Sequence, residues 1–246
     1  MEYLEQYTKK QMEKFNEIEK NIGLTFENSD LLETALTHRS YLNEHQGAKI
    51  ENNERLEYLG DAVLELIISD YIFRKYTDKA EGELTSIRSA VVRTESLAEQ
   101  SRELGIGENL RMSKGEKDSG GKDKDYLLAN AYEAVLGAIY MDRGMEECVN
   151  FVNRTLVPKI DHIVENHLFV DPKTQAQEII QARYKTTPTY VIVKEEGPDH
   201  DKKFTVALRI NNKEKAQGQG TSKQKAEESA ALAAIEEIEK ESESLN

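Results

Sequence analysis

The chain has 246 residues, 38% hydrophobic and 32% charged, enough to bury one large or two modest cores under a highly charged surface. Its one cysteine, Cys148, excludes an internal disulfide and fits a reducing cytosol. No apolar run is long enough for a transmembrane helix, and the charged opening MEYLEQYTKKQMEKF lacks the apolar stretch of a signal peptide. A cytoplasmic protein with no membrane partner is expected.

The net charge of −13 argues at first against a nucleic-acid partner, but its distribution matters more than its sum. From Asp171 to Lys225 there are eleven Lys and Arg against seven Asp and Glu, a local net of +4, while residues 1–170 carry −11. One part is suited to hold cations and another to touch phosphate.

In chain order, the first 160 residues read as helices. Apolar residues recur three and four apart in LLETALTHRSYL, RLEYLGDAVLELIISDYIF, LTSIRSAVVRTESLAEQSREL and DYLLANAYEAVLGAIYMD. Two polar, glycine-containing stretches, 43–53 and 113–124, read as exposed loops. MEECVNFV puts Cys148 at an ordinary helical core position. His38, in THRSY, reads as a structural, hydrogen-bonded residue, and His45, His162 and His167 give no signal.

After Leu168 the character changes. DPKTQAQEIIQARY, with Pro in a first-turn position, reads as a short helix. TPTYVIVKEE is a β-branched and aromatic run, and KKFTVALRI alternates with Phe204, Val206, Leu208 and Ile210 on one face. NKEKAQGQG is a weaker third strand, and SKQKAEESAALAAIEEIEK is a strong helix. The expected layout is an all-α domain over 1–160, a linker over 161–172 and an α+β domain of order αβββα over 173–241.

The chemistry concentrates on two helices. On a helix, Glu54, Glu57, Asp61 and Glu65 fall within roughly 80° of arc. A stripe of this kind is most often a solvated face. Here, however, Glu57/Asp61 and Asp61/Glu65 repel at i,i+4 spacing with no basic residue interleaved on that stripe. Gly60, mid-helix, costs roughly 1 kcal/mol relative to Ala and needs a packing or functional reason. In LLANAYEAVLGAIYM the polar groups besides tyrosine hydroxyls are Asn130 and Glu133, three apart on one face. A carboxylate in so apolar a helix must be paired, protonated or bound to metal. If the two helices face each other, Glu57, Asp61, Asn130 and Glu133 form an oxygen-only cage suited to Mg²⁺, with Mn²⁺ as a substitute.

NNERLEYLGDAVLEL resembles the signature of the ribonuclease III family. ALTHRSY and LLANAYEAVLGAIYMD resemble two further blocks in the right order, and the C-terminal domain resembles the family's double-stranded RNA-binding domain. The likeness covers roughly residues 20–240. It implies a homodimeric endonuclease that needs Mg²⁺ and no small-molecule cofactor. Such an enzyme cuts double-stranded RNA with staggered ends, ribosomal RNA precursors being the usual substrate. It implies metal-binding acids at Glu57, Asp61 and Glu133, with Asp61 and Glu133 catalytic, and further cleavage-site acids at Glu54 and Glu81. The dimer is expected to form through the signature helix, with Leu59, Val63, Leu66 and Ile67 as its apolar face. The family's usual Asp at one metal position is Asn130 here. That departure motivates an alternative: a protein that binds duplex RNA with weak or absent cleavage.

For RNA binding, three surfaces of the αβββα module supply candidates. The first helix offers Thr174, Gln177 and Glu178, and the first strand–strand loop offers His200. The start of the last helix offers Ser222, Lys223 and Lys225, where cations oppose the macrodipole but suit a phosphate at free amides. The family pattern has two adjacent lysines; here Gln224 separates them.

Overall fold

The computed structural model describes residues 16–47, 49–198 and 202–243. The chain forms two compact units, residues 1–169 and 170–246.

In the first unit, residues 16–22 form helix α1. Then follow α2 (Ser29–Ala35), α3 (Arg39–Glu44), α4 (Glu54–Lys75), α5 (Glu81–Val92), α6 (Thr94–Glu103) and the single turn α7 (Ile106–Asn109). Next come α8 (Lys114–Asp118), a 3₁₀ turn (Gly121–Asp123), α9 (Asp125–Arg143), α10 (Met145–Thr155) and α11 (Val157–Glu165). Residues 161–165, expected in the linker, are thus the last turn of α11.

α9 is the central helix. Eleven of its residues are buried, from Leu127 to Ile139, so its apolar residues meet protein on nearly every side. α2, α4, α6 and α10 pack around it, α4 most extensively. α4 carries acids in its first turn and Arg74 and Lys75 in its last, which complement its macrodipole.

A short parallel bridge fixes the segment before α3. The His38 N–H donates to Arg111 O (2.9 Å), the Arg111 N–H to Leu36 O (2.7 Å) and the Asn53 N–H to Thr37 O (2.9 Å). His38 is structural, as expected: it caps α3, its Nδ1 accepting the Ser40 N–H and lying 2.8 Å from Ser40 Oγ. The stretch 113–124 is not a plain loop. Ser113 caps α8 by accepting the Glu116 N–H at 3.1 Å, and Gly121 is buried. A Cβ at Gly121 would lie 2.7 Å from Glu116 O, so glycine allows the polar segment to fold back on itself.

The expected dimer face also changes. Val63 and Ile67 are buried inside the protomer, because they face α9 rather than solvent. Of the expected face Leu59 is half-buried and Leu66 is exposed, and the large apolar residues exposed on α4 are Leu66 (59%), Tyr58 (81%) and Phe73 (70%).

The second unit is α12 (Pro172–Tyr184), β1 (Thr189–Glu196), β2 (Lys203–Ile210), β3 (Lys213–Gly220) and α13 (Lys223–Glu243), with an antiparallel sheet in the order β1-β2-β3. Asp171 caps α12 through the Thr174 N–H (2.9 Å), and Pro172 supplies the first turn. Phe204, Val206, Leu208 and Ile210 enter the core with Ile180, Ala226, Ala230 and Ile235. The β2–β3 hairpin turns on Asn211 and Asn212, both with positive φ (51° and 63°), the requirement of a tight hairpin turn of the mirror-image type. Lys223–Glu243 then lies against β3.

Candidate active site and nucleic-acid interface

α4 and α9 cross backbone to backbone. A Cβ on Gly60 would fall 1.8 Å from Glu133 O, and one on Gly137 would fall 2.2 Å from Leu56 O. Two glycines, one per helix, therefore let the helices touch where any side chain would hold them apart. This is the packing reason for a mid-helix glycine. The contact brings Glu57 and Asp61, which flank Gly60, against the Asn130–Glu133 face of α9.

The resulting electrostatics are unbalanced. Glu133 is half-buried, and burial, then the charges of Asp61, Glu57 and Glu65, push its carboxyl up to about 8. Glu57 is raised by burial and by Glu54, partly offset by a hydrogen bond from Asn130. Among the described residues, none of Glu57, Asp61 and Glu133 pairs with Lys or Arg. The outer acids of the stripe do pair: Glu54 lies 3.5 Å from Arg39, and Glu65 lies 2.7 Å from Arg88 of α5. Those bases come from other helices, which the stripe's own spacing does not reveal.

Of the expected cage, the structure puts Asn130 beside Glu57 and sets Glu133 in the field of Asp61, Glu57 and Glu65. Among the described residues, no three His, Cys, Asp or Glu side chains meet closely enough to form a ready ion site. Glu81 stands apart. α5 turns back along α4 after the short link 76–80, because Arg88, two turns into α5, reaches Glu65 and Ser69 (3.0 Å), well before the end of α4. Glu81 opens α5 two turns earlier, beside the C-terminal end of α4. From Asp61 to Lys75 the helix advances about 21 Å, so within one chain Glu81 does not join the cluster.

Three residues near the acids were not singled out from the sequence. A cavity of about 440 Å³ opens beside Glu54, Glu57 and Asn130, and Arg39, Asn53 and Tyr126 also line it. The signal was present: Asn53 precedes the acidic stripe, and Tyr126 lies one turn before Asn130. Cys148 is buried, its thiol pushed up to about 12 by burial, as fits an inert core cysteine.

In the second unit, Thr174, Gln177 and Glu178 are exposed on α12, and Ser222, Lys223 and Lys225 are exposed at the start of α13. α12 and α13 run parallel. Lys173 pairs with Glu227 at their starts, and Arg183 reaches Ile238 O (2.9 Å) near their ends. Both N-termini therefore open at one end of the unit. Ser222 Oγ accepts the Lys225 N–H at 3.2 Å, and the Lys223 ammonium stands 5.9 Å from the Phe204 ring centroid. Among the described residues, neither Lys223 nor Lys225 has an acidic partner. His200 lies outside the described residues.

Residues 28–160 match the family described as Ribonuclease-III-like, and residues 172–238 match the double-stranded RNA binding motif. The chain is 49% identical over 220 residues to Ribonuclease 3 of Lactococcus lactis subsp. cremoris, covering 89% of this chain and 94% of that one. It belongs to the ribonuclease III family. Ribonuclease 3 of Geobacillus thermodenitrificans is 44% identical over 229 residues, covering 93% of each chain. The nuclease domain of Campylobacter jejuni ribonuclease III superposes with a TM-score of 0.54 at 38% identity, covering 58% of this chain and 95% of that domain. The chain is thus an endoribonuclease of this family, a helical nuclease unit followed by a double-stranded RNA-binding unit.

The set of oxygen groups at this site fits a hard divalent cation. All the donors are oxygens, from three carboxylates and one carboxamide. Burial and then the neighbouring carboxylates raise Glu133, and a divalent ion would neutralise the negative charge of that cluster.

Proposed function

We propose that this protein is a homodimeric, Mg²⁺-dependent endonuclease of the cytoplasm. It hydrolyses phosphodiester bonds in both strands of duplex RNA and leaves staggered ends, with ribosomal RNA precursors among its substrates. The observation that carries this reading is Glu133, a half-buried carboxyl pushed up to about 8 among Asp61, Glu57 and Glu65, with no basic partner among the described residues. Glu57, Asp61, Asn130 and Glu133 hold Mg²⁺, for which Mn²⁺ substitutes. When bound, the metal supplies Lewis acidity toward the scissile phosphate and the attacking water. Glu133 and Asp61 orient the reacting groups, Glu54 lines the strand's path, and Asn130 steadies the Glu57 carboxylate through its amide.

Dimerisation is supported by the exposed Tyr58, Leu66 and Phe73 on α4. The Campylobacter jejuni nuclease domain, for its part, is described as structurally flexible in a region involved in dimer formation. If two α4 helices pack antiparallel about a two-fold axis, the far end of one approaches the acidic start of the other. Glu81 then serves the partner's cleavage site. Thr174, Gln177, Glu178, His200, Ser222, Lys223 and Lys225 contact duplex RNA through phosphates and 2′-hydroxyls, reading shape more than sequence. Among the described residues no helix is long and apolar enough to cross a membrane.

The test is incubation with long duplex RNA and Mg²⁺, with and without chelator. Short duplex products that vanish with chelator support the endonuclease. Retarded but intact RNA would favour the second reading, motivated by Asn130, of a binder that does not cut.

A further inference from the structure

The cavity beside the acids differs from them in chemistry. Its floor holds Asn53, only 4% exposed. Asn53 occupies the N-cap position of α4, yet its side chain makes no capping bond. Its backbone is fully engaged: its N–H donates to Thr37 O (2.9 Å) and its carbonyl accepts the Glu57 N–H (2.8 Å). Its carboxamide has no hydrogen-bond partner among the described residues. The amide is not sealed from water either, since Asn53 is not among the buried side chains with an unpartnered polar atom; it opens onto the cavity, where a ligand's polar group can take the place of water.

The other walls define that group. The Arg39 side chain is 72% exposed, and among the described residues it pairs with one acid, Glu54, 3.5 Å away and itself 53% exposed. Such a pair is weak and easily exchanged for another anion. The backbone bonds that tie Thr37 and His38 to Asn53 and Arg111 hold Arg39 and Asn53 in one rigid frame. Tyr126 and Asn130, one turn apart on α9, also line the cavity, with Tyr126 53% exposed. A cation, an idle amide that can donate and accept, and an aromatic face beside the hydrolytic acids match one ribose and its phosphate.

We propose that this cavity is a ribose-reading subsite for the nucleotide adjoining the cleaved bond, in which Asn53 bonds the 2′-hydroxyl and Arg39 bonds the flanking phosphate. A 2′-hydroxyl both donates and accepts, and it is the group by which a site tells RNA from DNA. The subsite lets the nuclease unit discriminate RNA by itself, separately from the RNA-binding unit. It rests on the endonuclease reading above.

The experiment scans the cleaved strand of a short RNA duplex with single 2′-deoxy nucleotides and, separately, single neutral methylphosphonate linkages. It reads kcat/KM in Mg²⁺ for the full-length parent, Asn53→Ala and Arg39→Ala. In the parent, one deoxy position next to the cut lowers kcat/KM about tenfold. Asn53→Ala cuts the unmodified duplex about tenfold more slowly and loses nothing further at that position. In the parent, one neutral linkage next to the cut also costs about tenfold or more; Arg39→Ala is insensitive to it but keeps the deoxy effect. If Asn53→Ala fails to fold, Asn53→Ser carries the same comparison, and Arg39, being exposed, gives an independent arm. Parent-like sensitivity of the Asn53 variant to every deoxy position overturns the subsite and leaves the endonuclease standing. A parent that fails to cut the unmodified duplex overturns both.

Discussion

Glycine makes the decisive helix contact in each unit, and the two contacts serve opposite charges. In the nuclease unit, Gly60 and Gly137 let α4 and α9 touch, which gathers Glu57, Asp61 and Glu133 without a basic partner among the described residues. In the RNA-binding unit, a Cβ on Gly218 would lie 2.0 Å from Ala230 N, and one on Gly220 would lie 2.5 Å from Ala226 N. There the close approach sinks Ala226, Ala230 and Ala234 of α13 onto the sheet and leaves Lys223 and Lys225 at the exposed start of the helix. The same device concentrates anions in one unit and displays cations in the other. Close backbone contact positions functional charge of either sign, and the residues that flank the glycine decide which.

The largest expected effects come from filling these contacts. Gly60→Ala must push α4 off α9, and it is expected to cost upwards of about 3 kcal/mol and to abolish cleavage. Gly218→Ala should instead unfold the RNA-binding unit and spare the melting of the nuclease unit. Calorimetry of each variant checks this. A Gly60→Ala protein that melts with the parent and cuts normally would break the comparison.

Next in size is the pH response of the nuclease unit. The Glu133 carboxyl is raised in the folded state, so the stability it contributes is full below its ordinary value of 4.5 and is lost as pH rises through about 8. With chelator present, Tm should fall across that window, and Glu133→Gln should flatten the fall. Added Mg²⁺ should restore Tm most at the alkaline end, where the carboxyl is free to bind it.

Smaller still is the change at the lysines. Lys223→Ala with Lys225→Ala should weaken duplex RNA binding alike across sequences and lower the salt slope by about 2. Unchanged binding at moderate salt would remove the phosphate role from the start of α13.

The smallest effect is expected from Asn130→Asp. The change adds an anion to the cluster but removes the amide that bonds Glu57. The Mg²⁺ needed for half-maximal cleavage should fall severalfold, while the chelated protein becomes less stable. An Asp variant equal or worse at every Mg²⁺ level would make Asn130 a working ligand in its own right.

Much of this was legible in the chain. The αβββα order, the inward face of β2 and the isolated Asn130–Glu133 pair in an apolar helix all follow from periodicity, because burial imposes it. Gly60 was visible as an anomaly, but its partner Gly137 was not, since which glycines meet depends on the helix crossing. Crossings also decided that Val63 and Ile67 go inward while Tyr58 and Phe73 stay outside. Arg39 and Arg88, which neutralise the two ends of the acidic stripe, arrive from distant segments that no spacing within α4 reveals. The stretch 113–124 read as loop because its polarity hid a local fold built on Ser113 and Gly121. The tight Asn211–Asn212 turn carries its own signal, two residues that tolerate positive φ between alternating strands.

The central claim is that the α4–α9 acids work by holding a divalent cation. The direct measurement is the initial rate of duplex RNA cleavage against Mg²⁺ concentration for the parent and Glu133→Gln, with RNA binding measured in parallel. The account predicts a parent rate that rises and saturates with Mg²⁺, and a Glu133→Gln protein that binds RNA as the parent does but cuts at no Mg²⁺ level. A Glu133→Gln protein that cuts with the parent's rate and the parent's Mg²⁺ dependence would contradict it.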